Sequence, residues 1–320
     1  MKEPLLSVIV SLQEKEEKQI EKVIDSIINS TYKNIELIVV ASTESEVLDT
    51  YVDLYDNVSV TISDKSDSIL ELARIALKQA NGHYISFLTS NEYVSCDFYR
   101  TMVQRGISTK SNLVMGEHLF INDENIQYPL YAHNRLLDLN LEGDACKEFL
   151  LKQSGSDFSL FYTFNKLLSK SLLSIVVGKL ENISITTNFA LWYIFNVLAF
   201  YHTNKIVNIK NNFVYHEIGS YSKSLKEYKK NIDSIESIIT VINKIFSQSH
   251  LDVSYDLKQW ILHTIQSVLK GYESKLSKIE TVFLYKHIKT KFGISEKELN
   301  KIDFFTIHTP NTKPVSYTHL

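Results

Sequence analysis

The sequence predicts an α/β fold in which a mostly parallel sheet with flanking helices is followed by a C-terminal helical bundle. Apolar strand patterns and amphipathic helix patterns alternate through the first 120 residues, with short links between them. Such alternation favours right-handed βαβ crossovers, which make neighbouring strands parallel. From Ser222 onward the chain carries only helical periodicity. We therefore predict a sheet domain over 1–221, a helical region over 222–305 and a disordered tail over 306–320.

The predicted sheet domain begins with alternating strands and helices. The strands are apolar, β-branched runs, which is typical of strands covered on both faces: Leu6–Ser11, Ile35–Val40, Val58–Ile62 and His83–Leu88. The helices carry apolar residues at helical spacing: Glu16–Asn29, Glu44–Tyr55 and Ser66–Ala80. Asn81-Gly82 follows the last of these helices, and the pair predicts a left-handed helix cap.

The pattern after Asp97 is less regular. We predict a strand over Leu113–Ile121, an irregular segment over Asn122–Ala145, a helical stretch over Lys147–Leu173, a buried helix over Phe189–Phe200, and short strands over Ile206–Ile209 and Phe213–His216. Helical stripes over 228–246, 257–269 and 279–288 predict the bundle, and Ser295–Glu298 is a capping box that begins a last short helix.

The bulk properties of the chain exclude several functional classes. Its 320 residues are 44% hydrophobic and 22% charged, which is ordinary for a globular protein, and a net charge of −3 predicts no nucleic-acid binding. The chain lacks GxGxxG and GxxxxGK[ST], which argues against dinucleotide-binding dehydrogenases and P-loop enzymes. Its two cysteines form no CxxC pair, and its longest apolar stretch is about half the ~20 residues that span a bilayer. We expect a cytoplasmic protein, at most peripheral to the inner face of the membrane.

A polar quartet, Thr89-Ser90-Asn91-Glu92, directly follows the strand His83–Leu88. Ligands bind past the carboxyl ends of strands in open α/β sheets. A divalent metal holding a diphosphate there would want carboxylates at positions i and i+2, but this chain has Thr89 and Asn91. Glu92 is either a ligand for Mg²⁺ or Mn²⁺, or a solvated loop glutamate. The histidines show no paired ligand spacing, and His216 is interpreted as structural.

The first two-thirds of the chain resembles the family 2 glycosyltransferases. The resemblance rests on Leu6–Ser11 as first strand and on Asp25–Val40 (DSIINSTYKNIELIVV), which is close to the family's DSILNQTYKNIEIIVV. Asn81–Tyr93 (NGHYISFLTSNEY) stands where the family has GEYILFLDSDD. Weaker similarity continues through Asn165–Leu168, Ile183–Asn188 and Tyr215-His216. This resemblance implies the GT-A fold and a nucleotide-sugar donor.

The resemblance also implies which positions form the site, and the acidic ones among them are neutral here. The family's Asp-Asp-Gly-Ser falls on Ala41-Ser42-Thr43-Glu44, its metal-binding Asp-x-Asp on Thr89-Ser90-Asn91, and the Glu-Asp that supplies the base on Thr187-Asn188. Its Pro-x-Tyr-Asn loop falls on Ser11-Leu12-Gln13-Glu14, and its diphosphate-contacting Arg-Asn is matched at best by Ala73-Arg74.

Several charged residues near these positions have two interpretations. Glu44 either contacts the nucleotide base or stabilises a helix dipole. Arg74 either reaches a diphosphate or is an exposed helix residue. Asp64 and Asp67 either lie over a nucleotide or, for Asp67, supply a charge at a helix start.

Two functions follow from these observations. One is a glycosyltransferase with an atypical metal site, which moves a sugar from a nucleotide-sugar to a glycan, lipid or protein acceptor. The other is an inactive pseudo-glycosyltransferase that serves as a binding subunit, for example of an active glycosyltransferase. The family resemblance favours the first, whereas the neutral residues at the acidic positions favour the second.

Overall fold

The structure, a computed structural model, describes residues 3–13, 17–121, 127–129, 139–153, 163–185, 187–217, 225–248, 261–262, 264–265, 277–295 and 297–298. Its strands are β1 Leu6–Leu12, β2 Ile35–Ala41, β3 Val58–Ile62, β4 Tyr84–Thr89, β5 Glu92–Val94, β6 Leu113–Ile121, β7 Gln127–Pro129, β8 Asn140–Glu142, β9 Lys166–Ser169 and β10 Lys205–Glu217. Its helices are α1 Glu17–Ile28, α2 Glu46–Leu54, α3 Ile69–Gln79, α4 Phe98–Thr109, α5 Asp144–Gln153, α6 Lys170–Leu180, α7 Asn188–His202, α8 Leu225–Ser247 and α9 Lys278–Phe292.

The strands form one sheet in the order β3-β2-β1-β4-β9-β6-β10-β5, with β7 added beside β6 and β8 beside β10. β1 runs parallel to β2 and β4, and β2 runs parallel to β3. β9 is antiparallel to both β4 and β6, so β6 points the same way as β4, and β10 is parallel to β6. The carboxyl ends of β1, β2, β3, β4, β6 and β10 therefore lie along a single edge. The predicted α/β class with a mostly parallel sheet is confirmed.

The core lies on both faces of this sheet. β1 is buried along its whole length, as expected for a central parallel strand. On one face α7 packs against α3, α5, α6 and α8, and the Phe87 and Phe195 rings meet edge to face, 5.8 Å apart. Neighbours on several sides of α7 explain why its sequence is apolar all round. The prediction of a buried helix over Phe189–Phe200 is confirmed.

The predicted left-handed cap after α3 is wrong. α3 ends at Ala80 with φ −70° and ψ 137°, an extended conformation. Gly82 is needed for a different reason, since its backbone N–H donates to Ser7 Oγ at 2.8 Å. A Cβ added at Gly82 would lie 2.5 Å from the backbone nitrogen of Ser7, so the residue permits close approach of this loop to β1.

Two other predictions need correction. The helical stretch over Lys147–Leu173 is interrupted, because β9 lies between α5 and α6 and fills the gap between β4 and β6. A short apolar run reads equally as strand or helix when its pairing partners are distant in sequence. Ile206–Ile209 and Phe213–His216 belong to the single strand β10, whose register shifts between Asn208 and Phe213.

The C-terminal region contains α8 and α9, as its periodicity predicts. Leu284 and Ile288 of α9 are buried, and Asp233 of α8 accepts hydrogen bonds from Lys291 at 2.9 Å and His287 at 2.8 Å. Most of the helix predicted over 257–269, the domain boundary near 221 and the tail 306–320 lie outside the described residues. A membrane-spanning helix, judged by length and hydropathy, is absent from the part of the chain that the structure describes.

Candidate functional site

The polar quartet forms a tight turn at the carboxyl edge of the sheet. β4 ends at Thr89 and β5 begins at Glu92. The Ser90 N–H donates to the backbone oxygen of Ser11 at 3.0 Å, and the Glu217 N–H donates to the backbone oxygen of Asn91 at 3.0 Å. The turn is therefore fixed to the end of β1 on one side and to the end of β10 on the other.

On the β10 side, the turn encloses a buried carboxylate. The side chain of Glu92 has 0% exposure. Its Oε2 accepts hydrogen bonds from the Thr89 backbone N–H at 2.6 Å and from Thr89 Oγ1 at 2.5 Å, and its Oε1 lies 2.5 Å from His216 Nδ1. The interpretation of Glu92 as a solvated loop residue is thus wrong. Its prediction as a metal ligand does not fit this geometry either, because both oxygens are engaged inside the protein.

A second histidine and a lysine lie behind His216. The rings of His118 and His216 meet edge to face with centroids 5.7 Å apart. His118 is buried, and burial holds its pKa well below the usual value, with the nearby His216 and Lys166 acting in the same direction. Lys166 has 0% exposure, and its Nζ donates to Asn165 Oδ1 at 3.1 Å. Sequence reasoning missed this cluster, although the polar pair Glu117-His118 within the otherwise apolar β6 is a signal that could have marked it.

On the β3 side, the ends of β1 and β3 are joined through Ser66. Ser11 Oγ donates to the Ser66 backbone oxygen at 2.6 Å, and Ser66 Oγ donates to the Leu12 backbone oxygen at 3.1 Å. Gln13 Nε2 donates to Ser66 Oγ at 2.5 Å. These contacts fix the segment after β3, which the sequence singled out only for Asp64 and Asp67.

The next residue, Asp67, joins this segment to the start of α7. Asn188 Nδ2 donates to Asp67 Oδ2, and Trp192 Nε1 donates to the Asp67 backbone oxygen at 3.2 Å. Thr187 is the N-cap of α7, and its Oγ1 accepts from the Ala190 N–H at 3.1 Å. Asp67 itself is exposed. A carboxylate therefore contacts Asn188, one of the two residues at the predicted base position.

The remaining predicted site residues fall into two groups. Ala41 and Ser42 lie at the same edge, since the Ser42 N–H donates to the Leu12 backbone oxygen at 3.1 Å. Glu44 is exposed and immediately precedes Ser45, the N-cap of α2, as its helix-dipole interpretation expects. Arg74 forms an exposed ion pair with Glu181 at 2.9 Å. Arg74 thus contacts the residue that caps the end of α6, Glu181, rather than a residue of the turn.

The turn Thr89–Glu92 offers no exposed carboxylate to a metal ion. No group of three or more histidine, cysteine or acidic side chains in the described part of the chain is arranged to hold a metal ion. Thr89 commits its hydroxyl hydrogen to Glu92. Asn91 Oδ1 is buried without a hydrogen-bond partner among the described residues. An unsatisfied buried acceptor is costly, so Asn91 suits a ligand that donates a hydrogen bond.

Comparisons with known proteins agree on a single family. The sequence model of glycosyl transferase family 2 matches residues 7–173. An uncharacterized glycosyltransferase of Haemophilus influenzae is 22% identical over 276 residues, which cover 84% of this chain and 99% of that protein. Glycosyltransferase GlyG of Streptococcus pneumoniae is 25% identical, covering 85% of this chain and 89% of GlyG. The match to GlyA of the same bacterium is 25% identical over 111 residues, 33% of this chain and only 16% of GlyA's length.

Solved structures with a similar fold include TarS of S. aureus. Residues 1–349 of TarS in complex with UDP give a TM-score of 0.59 at 15% identity, covering 89% of this chain and 79% of that one. The same TarS segment in complex with UDP-GlcNAc gives 0.58 at 14% identity, covering 89% and 80%. At this level of identity the likeness shows the fold, and it confirms the GT-A-like architecture.

Proposed function

This chain belongs to glycosyl transferase family 2, and on that premise we propose that it transfers a sugar from a nucleotide-sugar donor to a hydroxyl of a glycan, lipid or protein acceptor. The observation that carries the proposal is the edge at which β1, β2, β4 and α7 meet. A connected rim joins Ser90 to Ser11 directly, Ser42 to Ser11 through Leu12, and Asn188 to Ser11 through Asp67 and Ser66. The solved TarS complexes hold UDP and UDP-GlcNAc, so UDP-sugars are the first donors to test.

A divalent metal does not fit the residues of the turn Thr89–Glu92. Hard divalent cations prefer carboxylate ligands, and the Glu92 carboxylate is enclosed by Thr89 and His216. Thr89 and Asn91 offer only neutral oxygens. We therefore propose donor binding that requires neither Mg²⁺ nor Mn²⁺.

The transfer itself makes two demands on the protein. The acceptor oxygen bonds to the anomeric carbon while the bond from that carbon to the diphosphate breaks, and the electron pair leaves with the nucleoside diphosphate. Hydrogen-bond donors must stabilise that leaving charge. A base must also take the proton of the acceptor hydroxyl, which is worth roughly 10²–10⁴ in rate. Neither Thr187 nor Asn188 can act as that base, because neither side chain takes up a proton near neutral pH.

The second candidate is a pseudo-glycosyltransferase that binds a nucleotide, a glycan or an active glycosyltransferase without catalysis. The neutral residues at three acidic positions of the family favour it: Ala41-Ser42, Thr89-Asn91 and Thr187-Asn188. Under this alternative the rim binds a ligand, and transfer requires a partner.

A nucleotide-sugar panel separates these candidates. We expect UDP or a UDP-sugar to raise the melting temperature equally in EDTA and in Mn²⁺, and UDP to be released from the matching sugar when acceptor or water is present. Binding without release under any condition favours the pseudo-glycosyltransferase. A lack of binding across UDP-, GDP- and dTDP-sugars, with and without Mn²⁺, contradicts the proposal.

The class of acceptor leads to a separate test. A lipid-linked acceptor would bring the chain to the inner face of the membrane. Lys226, Lys229 and Lys230 line one open groove along α8, and cations near an anionic surface contribute about 1 kcal/mol each. Flotation with phosphatidylserine vesicles at low and high salt tests this part of the proposal, and recovery of the protein only in the unbound fraction contradicts it.

A further inference from the structure

The proposed reaction needs a base, and a carboxylate is hydrogen-bonded to the position at which the family has its base. The resemblance puts the family's base at Thr187-Asn188, at the start of α7. In this structure the Asn188 amide donates to the carboxylate of Asp67, which comes from the segment after β3. Asp67 therefore puts a proton acceptor beside the position that Asn188 leaves neutral, although the two residues are 121 positions apart in sequence.

Asp67 is held from two sides, so its carboxylate has a defined place. Trp192 of α7 donates to its backbone oxygen at 3.2 Å. The preceding residue, Ser66, accepts a buried hydrogen bond from Ser11 at 2.6 Å and donates to the end of β1. A group held on fixed elements loses less entropy when it engages a substrate.

Among the described carboxylates near the rim, Glu92, Glu44 and Asp64 lack this combination of exposure and tethering. Glu92 is fully buried and already accepts hydrogen bonds from Thr89 and lies against His216. Glu44 precedes the cap of α2. Asp64 is exposed in the same segment as Asp67, with which it shares charge and accessibility. Asp67 differs from Asp64 because it contacts the residue at the base position.

We propose that Asp67 is the catalytic base of this protein, an inference that rests on the proposed glycosyl transfer. Asp67 takes the proton of the acceptor hydroxyl as the acceptor oxygen bonds to the anomeric carbon. The bond from that carbon to the diphosphate breaks, and its electron pair leaves with UDP. The Asn188 amide orients the carboxylate by donating to Oδ2. A carboxylate has about four lone-pair sites, so it can accept the substrate hydroxyl at the same time.

The test exchanges the side chains of Asp67 and Asn188, which share a hydrogen bond. The variants are Asp67→Asn, the double variant Asp67→Asn with Asn188→Asp, and Asp53→Asn, at an exposed position of α2, as the matched control. The readouts are the rate of UDP release from UDP-GlcNAc, or from whichever UDP-sugar the panel selects, and the affinity for UDP itself. Circular dichroism checks that each variant is folded.

We expect Asp67→Asn to lower kcat by 10²–10⁴, the range for loss of a general base, without changing UDP affinity. The double variant restores one carboxylate to the same pair, and we expect at least tenfold recovery over Asp67→Asn. Asp53→Asn should match the wild type. In the wild type kcat should fall on the acid side of its pH profile, and Asp67→Asn should remove that limb.

Three results would overturn the inference. An Asp67→Asn variant with wild-type kcat excludes the role, and one that loses UDP affinity instead makes Asp67 a donor-binding residue. A double variant no faster than Asp67→Asn assigns Asp67 to positioning α7. A wild-type protein that binds UDP but releases none from any UDP-sugar also removes the base assignment while leaving donor binding intact. Failure to bind any nucleotide is different, because it contradicts the proposed function itself.

Discussion

The two sides of the turn Thr89–Glu92 use a carboxylate in opposite ways. On the β10 side Glu92 has 0% exposure, and its oxygens contact Thr89 and His216. On the β3 side Asp67 is exposed, and within the described residues its carboxylate accepts one side-chain hydrogen bond, from Asn188. A buried carboxylate with several partners stabilises a structure but has little capacity to exchange protons with a substrate. Burial, rather than nearness to the family's Asp-x-Asp position, therefore distinguishes Glu92, which stabilises the fold, from Asp67, which we propose as the base.

The largest expected effect comes from removing the carboxylates of Glu92 and Asp67 in turn and measuring the free energy of unfolding of each variant. We expect Glu92→Ala to cost about 1–3 kcal/mol, the usual penalty for leaving buried hydrogen-bonding groups without a partner, because the Thr89 N–H and hydroxyl lose their acceptor. Asp67→Ala, at an exposed site, should stay within about 0.5 kcal/mol of the wild type. Urea unfolding measures both. Equal losses in the two variants would show that the two sides do not differ in this way.

A smaller effect is expected from a change of pH. It acts through His118, whose ring lies against His216, the neighbour of Glu92. The pKa of His118 is held well below its usual value by burial and by the charges of His216 and Lys166. The unfolded chain takes up a proton near pH 6.5, whereas the folded chain resists it. Stability should therefore fall as the pH drops from 6.5 toward 5, by up to about 1.4 kcal/mol per unit.

The control for this pH dependence is a pair of variants. His118→Leu should flatten the pH slope, and substitution of the exposed His83 by Gln should keep it. Thermal unfolding between pH 5 and 7 measures the slopes. If His118→Leu retains the wild-type slope, another group is responsible for the acid sensitivity.

The smallest expected change in stability concerns the segment that contains Ser66 and Asp67. Ser11→Ala removes the buried hydrogen bond to the backbone oxygen of Ser66 and should cost about 1 kcal/mol. Ser108→Ala, on an exposed face of α4, is the matched control and should be close to neutral. Chemical denaturation can resolve the difference. A Ser11→Ala variant as stable as the control would mean that Ser66 is held chiefly by Gln13 and by its own bond to Leu12.

Much of the sheet could be predicted from the sequence because its strands are continuous apolar runs. β1, β2 and β4 lie within about one residue of their predicted bounds, and β3 and β6 match them fully. β9 could not be predicted in the same way. Its four residues become a strand only because β4 and β6 leave room for them, and that room is a property of the assembled sheet.

Less of the candidate site than of the sheet could be predicted from the sequence. The edge position of Ser11, Ala41-Ser42 and Thr89–Asn91 follows from the parallel strands and the family resemblance. The burial of Glu92 does not, since its partner His216 is 124 positions away. Likewise, nothing local in the sequence around Asp67 indicates contact with Asn188. Distant pairs of polar residues leave no periodic signal.

The long separation of these pairs has a consequence for how the protein is made. Glu92 and His216 are 124 residues apart, so the carboxylate emerges well before the histidine that lies against it. At the typical synthesis rate of 5–20 residues per second, that interval lasts roughly 6–25 s. Until β10 has been synthesised, β5, β6 and β8 lack the strand with which they pair in the folded sheet. The contact between Glu92 and His216 is therefore a late event in synthesis, and until then chaperones and proteases have access to the growing chain.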